Sequence, residues 1–135
     1  DGMARRIHAL LGWHVELYID ARELPPLLDT LAALPAVAID HLGLSKEGLP
    51  HLLWLAERGV RVKASGFGRL DFDVRDALRA LYAANPECLM FGTDLPSTRA
   101  ARAYSDRDFE LVVQTIGAEG ARRVLYDNAR AFYRF

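Results

Sequence analysis

Apolar positions along this chain alternate between two periods. Runs of β-branched and aromatic residues at roughly 13–19, 37–40, 60–65 and 89–93 read as strands. Each run is followed by apolar residues spaced three and four apart, the mark of a helix with one buried face. Leu24, Leu27, Leu28, Leu31 and Leu34 share such a face, with Pro25 and Pro26 in the first turn, where proline is tolerated. Ser45 is placed to cap a helix carrying Leu49, Leu52, Leu55 and Ala56 that stops at Gly59. Val74, Ala77, Leu78 and Leu81 form a third stripe, closed by Asn85-Pro86. Ser105-Asp106-Arg107-Asp108 is a capping signal ahead of Phe109, Val112, Val113 and Ile116. Two short helical pieces, about 119–126 and 127–133, finish the chain, and residues 1–11 read as a helix tail ended by Gly12.

Strand starts at Trp13, Val37, Val60 and Leu89 recur at close to the length of one βα unit. The predicted fold class is therefore α/β, with parallel βα units in one domain over residues 1–135. Four such units are half of a (β/α)8 TIM barrel. Taken alone they leave two unpaired sheet edges. The chain is thus expected to be a fragment, to pair with a separate amino-terminal half-barrel, or to pair with another copy of itself as a homo-oligomer.

The polar residues fall where such a fold does chemistry. Met90-Phe91-Gly92-Thr93-Asp94-Leu95-Pro96 drives an apolar strand into a carboxylate, and Pro96 stops the strand from continuing. Val37 to Gly43 ends in Asp40, His41 and a glycine, and Val60 to Gly66 closes with Lys63, Ser65 and Gly66. Side chains at the carboxyl ends of parallel strands face ligands, so these groups suggest an enzyme. Alternation turns Asp40 and His41 to opposite faces. His41 is expected to point into the barrel, and Asp40 to pair outside it with a helix or loop.

Composition narrows the partners. A formal charge of -1, from 17 basic and 18 acidic residues, offers no footprint for nucleic acid. No apolar stretch approaches the roughly 20 residues needed to span a bilayer, so no membrane partner is expected. The lone Cys88 forms no internal disulfide and reads as a packed thiol in a reducing compartment. The first residues lack the apolar segment of a secretory signal. Together these predict a cytoplasmic protein acting on a small molecule.

The series Trp13-His14-Val15-Glu16-Leu17, Ile39-Asp40-His41-Leu42-Gly43, Val62-Lys63-Ala64-Ser65-Gly66 and Phe91 to Pro96, finished by Asn128 to Tyr133, resembles the amidohydrolase superfamily. More narrowly it is similar to the amidohydrolase-related branch that holds 2-pyrone-4,6-dicarboxylate lactonase, sugar lactonases and some decarboxylases. The resemblance covers nearly the whole chain and maps to strands five to eight of that barrel. It implies a hydrolase in which activated water attacks the carbonyl of a lactone or related ester of a small anionic organic or sugar acid. It implies catalytic roles for Asp94, as general acid/base, and for His41, which binds substrate or polarises its carbonyl. Arg69 matches the place of an arginine that holds substrate carboxylates, a task suited to its planar fork. Tyr18 and Ser65 join it as substrate-binding candidates.

The branch often holds one divalent metal such as zinc, and the resemblance would place Asp94 and His14 as ligands, with metal-independent catalysis also open. His14 sits early in its strand, roughly 13 Å from a strand end at Tyr18 at about 3.3 Å per residue. His14, Glu16 and Tyr18 share a face, so Glu16 or Tyr18 can occupy the depth where relatives carry a histidine. Structural alternatives stand beside each role: Asp94 as a turn cap with Thr93 and backbone amides, His41 as a half-buried structural histidine, Arg69 as a solvated loop residue. Arg99 and Arg102 read as a solvated helix start. The strand-one His-x-His motif of the family is absent from these residues, and the 135-residue chain alone is expected to have little or no activity.

Two other readings belong to different classes. One is a non-catalytic half-barrel that docks with another half as a binding or regulatory module. The other is a doubly wound receiver-like domain, which would want a lysine after its last strand, whereas no lysine follows Asp94.

Overall fold

A computed structural model describes residues 1–135. Four strands, β1 (Val15–Leu17), β2 (Val37–Ile39), β3 (Arg61–Ala64) and β4 (Leu89–Phe91), form one sheet. All neighbours are parallel, and the spatial order is the chain order, β1-β2-β3-β4. A doubly wound sheet reverses direction at a switch point, and this one does not. The receiver-like reading therefore falls. The arrangement is four consecutive βα units of a (β/α)8 barrel, with one neighbour each for β1 and β4.

Strand alternation sorts the residues cleanly. Val37, Ile39, Val62, Ala64 and Leu89 turn outward and are buried against the helices. The intervening positions, Glu16, Lys63 and Gly92 among them, turn to the barrel's inner side, where they line an open cleft.

Helices α1 (Gly2–Leu11), α2 (Leu28–Ala33), α3 (Leu49–Ala56), α4 (Val74–Ala84) and α5 (Asp106–Ile116) cover the outer face or flank it. Helix α4 follows its sequence signals closely. Asp73 caps it by accepting from the Arg75 amide at 3.0 Å, and Val74, Ala77, Leu78 and Leu81 are all buried. At the start of α5, Asp108 accepts from the Ser105 amide at 3.3 Å, as the capping signal requires. Ser45 caps the turn ahead of α3, accepting from the Gly48 amide at 3.3 Å.

Two predicted helices differ from expectation. The leucine stripe from Leu24 is two tight single turns, Ala21–Glu23 and Pro25–Leu27, and becomes α-helical only over α2. Pro25 and Pro26 supply no N–H groups, so the turn over Ala21–Glu23 cannot continue through them as one helix. Leu24 and Leu31 are buried, but Leu27 is exposed. At the carboxyl terminus the two pieces are joined. Helices α6 (Ala118–Arg122) and α7 (Asn128–Tyr133) are linked by a wide turn over Arg123–Asp127.

That tail is fastened to the amino-terminal end of the sheet. Asn128 is buried and donates through Nδ2 to the Pro86 carbonyl at 2.8 Å and the Leu89 carbonyl at 3.0 Å. Cys88 is fully buried beside it, and burial pushes its thiol up to about 12. Helix α1 buries no residue, and Met3, Leu10 and Leu11 stay exposed. No helix is long and apolar enough to cross a membrane.

Candidate functional site

The cleft at the carboxyl ends of the strands is lined by Glu16, Asp40, His41, Lys63, Ser65, Gly92 and Asp94. Its centre is His41, which is 8% exposed. The imidazole Nδ1 shares a hydrogen bond with Ser65 Oγ at 2.9 Å. That contact leaves Nε2 facing Asp94, whose Oδ1 lies 3.8 Å away. The Tyr18 ring stands edge-on to the imidazole, with centroids 5.6 Å apart.

Gly66 makes this placement possible. Its φ is 60°, and a Cβ there would lie 2.5 Å from His41 Nδ1. The strand after Ala64 therefore turns without a side chain, and the imidazole occupies the space.

Asp94 is held from the other side. Arg69 Nε donates to Asp94 Oδ2 at 2.7 Å, and Arg69 Nη2 donates to the Thr98 carbonyl at 2.9 Å. The Asp94 carboxylate raises the Arg69 guanidinium above its ordinary value. Asp94 itself has φ 61°, in the left-handed region a non-glycine residue rarely adopts. Its carboxylate does not cap the following turn; the Leu95 amide donates to Thr93 Oγ1 instead, at 3.3 Å. The turn-cap alternative for Asp94 thus belongs to Thr93, and Arg69 is not a free solvated arginine.

Asp40 corrects a sequence expectation. It does not pair outside the barrel but lies in the cleft beside His41, with its Oδ1 3.5 Å from Lys63 Nζ. Alternation itself carries Asp40 inward, because Ile39 before it turns outward to the core; His41 is the residue that departs from it, because the strand has already ended. His41, Leu42 and Leu44 have φ of 51°, 51° and 63°, so the chain turns sharply and brings neighbouring side chains to one side. Lys63 also donates to Glu16, which in turn meets His14 Nε2 at 3.2 Å. The three groups shape one another's charge. Burial pushes the Asp40 carboxyl up, and the nearby Glu16 adds to it against the pull of Lys63. Burial opposes Glu16's ionisation, yet hydrogen bonds from Lys63 and His14 outweigh it and lower the carboxyl.

Arg102 forms a two-pronged pair with Asp108, at 2.8 and 3.1 Å, tying the loop after Asp94 to the start of α5. It is neither a free solvated residue nor a cleft residue. Gly68 lets that loop approach, since a Cβ there would run into the Arg102 carbonyl.

A divalent ion needs several donors converging on one point. His14 immediately precedes β1, at the end remote from Asp94, and packs edge-on against Phe132 and Tyr133. Its Nε2 is engaged by Glu16, and one Asp94 oxygen is taken by Arg69. No three His, Cys, Asp or Glu side chains of this chain come together as a ligand set. His14 and Asp94 thus lie at opposite ends of the strands, each engaged by another side chain, and this chain by itself supplies no complete ligand set.

Comparison with known proteins agrees with the fold. A protein from Agrobacterium tumefaciens, crystallised in its apo form, superposes with a TM-score of 0.76 at 25% identity, over 96% of this chain and 53% of its own. Amidohydrolase 2 from Bifidobacterium longum subsp. infantis gives 0.75 at 26% identity, over 97% and 53%. The chain thus spans about half the length of these solved relatives. A 36-residue stretch is 53% identical to a Comamonas testosteroni protein named 2-pyrone-4,6-dicarboxylate hydrolase, covering 26% of this chain and 12% of that one. Residues 5–135 match the family described as amidohydrolase. The chain belongs to the amidohydrolase family.

Proposed function

We propose that this chain carries the proton-handling half of a hydrolase site that opens a lactone or related ester of a small anionic acid. The observation that carries the reading is the facing of His41 Nε2 and Asp94 Oδ1 across 3.8 Å, beyond direct hydrogen-bond reach, at the carboxyl end of a parallel sheet. Each atom is therefore free to take a further partner. The similarity to a protein named for 2-pyrone-4,6-dicarboxylate supports the substrate class.

In this reading Asp94 accepts a proton from water as the water oxygen attacks the substrate carbonyl carbon. His41 donates a hydrogen bond to the oxygen on which negative charge develops. The ring C–O bond then breaks, and the proton held by Asp94 passes to the leaving oxygen, so a lactone and water become a hydroxy acid. Ser65 fixes which imidazole nitrogen faces the reaction. Arg69 keeps Asp94 in place through one oxygen and offers its remaining donors to a substrate carboxylate, with Tyr18 at the rim.

The test is hydrolysis of 2-pyrone-4,6-dicarboxylate and of sugar-acid lactones by the full-length protein carrying this sequence, with the 135-residue chain alone beside it. Turnover by the full-length protein and none by the isolated chain is the expected result. No turnover of any lactone by the full-length protein overturns the reading.

The unpaired edges of β1 and β4 favour one second reading, a half-barrel that pairs as a non-catalytic binding module. Light scattering at micromolar concentration separates it, because a clean monomer rules out pairing with a second copy.

A further inference from the structure

The corner after β2 is the most strained segment of the cleft. His41, Leu42 and Leu44 are consecutive or nearly so, none is glycine, and all lie at positive φ. Such backbone is costly and persists only where its surroundings over-determine it. Backbone bonds supply part of the restraint: Gly43 donates to the Asp40 carbonyl at 3.0 Å and Leu44 to the His41 carbonyl at 2.9 Å. These close the turn but do not aim its side chains.

Strand β3 does that. Its inward residue Lys63 faces Asp40, and the next inward position, Ser65, faces His41. Two side chains spaced by one strand period thus grip two successive residues of the corner. The grip on His41 is a hydrogen bond. The grip on Asp40 is an ion pair that also takes in Glu16 from β1, so one ammonium serves two inward-facing carboxylates. Both partners are more than half shielded, with side-chain exposures of 23% for Lys63 and 18% for Asp40. Without the ammonium, two carboxylates would face one cleft floor, and like charges at this range repel. Asp40 would gain by turning to solvent, and the Asp40–His41 corner would turn with it.

We propose that Lys63 is a positioning residue, whose ion pairs with Asp40 and Glu16 hold the strained corner so that the His41 imidazole faces Asp94. This rests on His41 being a working group of the cleft, although the geometry is open to test without any substrate. Nothing in the reaction reading assigns Lys63, Glu16 or Asp40 a role, and the ammonium is already matched by two carboxylates. It is thus unavailable as an anion site.

The test is the side-chain nitrogen spectrum of His41 in the full-length protein, identified by its loss in His41→Gln. An imidazole held in one tautomer by its hydrogen bonds shows two well-separated nitrogen resonances, and one released to exchange between tautomers shows averaged values. Lys63→Met is expected to average them while the far-ultraviolet circular dichroism stays the same, and Lys63→Arg is expected to restore the two-line pattern. Should Lys63→Met fail to fold, Asp40→Asn serves in its place, since it removes the corner's side of the same pair. A His41 spectrum unchanged in a folded Lys63→Met, or in Asp40→Asn, overturns the proposal. So does averaging that Lys63→Arg fails to reverse. Failure of the hydrolysis assay leaves this result standing, so the two readings fail separately.

Discussion

Gly66 and His41 are built around each other: the imidazole Nδ1 occupies space that a Cβ on residue 66 would invade at 2.5 Å. The same glycine sits at φ 60°, so an alanine there meets two obstacles at once. Gly66→Ala is expected to destabilise the fold by about 1–3 kcal/mol, from strain and overpacking together. Urea unfolding checks it, and a midpoint equal to the parent's would show that the His41 ring has room to move.

Ser65 Oγ is the hydrogen-bonding partner of His41 Nδ1, and both residues are buried. Ser65→Ala leaves that nitrogen without a partner in a shielded place, at a cost of about 1–3 kcal/mol. Ser65→Thr keeps the hydroxyl and should recover part of the loss. Equal stability of Ser65→Ala and the parent in denaturant would mean that water replaces the hydroxyl.

Much of this architecture is legible in the order of residues. The strand ends announce themselves because an apolar run stops at a glycine or a carboxylate, as at Gly92 and Asp94. Helices α4 and α5 are readable because their apolar stripes are strong, and Ser105 adds capping chemistry to α5, whereas the Asp73 cap of α4 emerges only in the fold. What escaped is non-local or conformational. That His41 reaches the same cleft as Asp40 depends on three positive φ values that no periodicity encodes. Arg69 was legible as a cleft arginine, but its pairing with Asp94 arises from residues 25 apart meeting across two loops. The leucine stripe from Leu24 keeps a helical period, yet Pro25–Leu27 take a tight single turn and the α-helix begins only at Leu28.

Asn128 ties the terminal helices to the sheet through two hydrogen bonds from one buried amide. Asn128→Ala removes both and strands two carbonyls, so a loss of about 2–4 kcal/mol is expected. Thermal unfolding would show this as a clear fall in Tm. An unchanged Tm would mean that the tail adds little to the stability of the sheet.

Cys88 predicts both a reactivity and a pH dependence. Burial holds the thiol neutral up to about 12, whereas in the unfolded chain it ionises near its ordinary value of 9.0. Between those values the folded state binds a proton that the unfolded state has released. This thiol therefore makes stability fall as pH rises through that window, by at most about 1.4 kcal/mol per pH unit. At pH 8 a disulfide reagent is expected to label Cys88 only after denaturant is added. Rapid labelling of the native protein would contradict the burial. A Cys88→Ala variant should show a flatter alkaline stability profile.

The central claim is that Asp94, steadied by Arg69 and facing His41, moves the proton in lactone opening. The most direct measurement is kcat for 2-pyrone-4,6-dicarboxylate hydrolysis by the full-length protein and by its Asp94→Asn variant. The amide keeps the shape and a contact with Arg69 but cannot accept the proton from water. The account predicts a fall in kcat of roughly 100-fold or more, with KM changed little and the fold intact. An Asp94→Asn protein that turns over at the parent rate would contradict it.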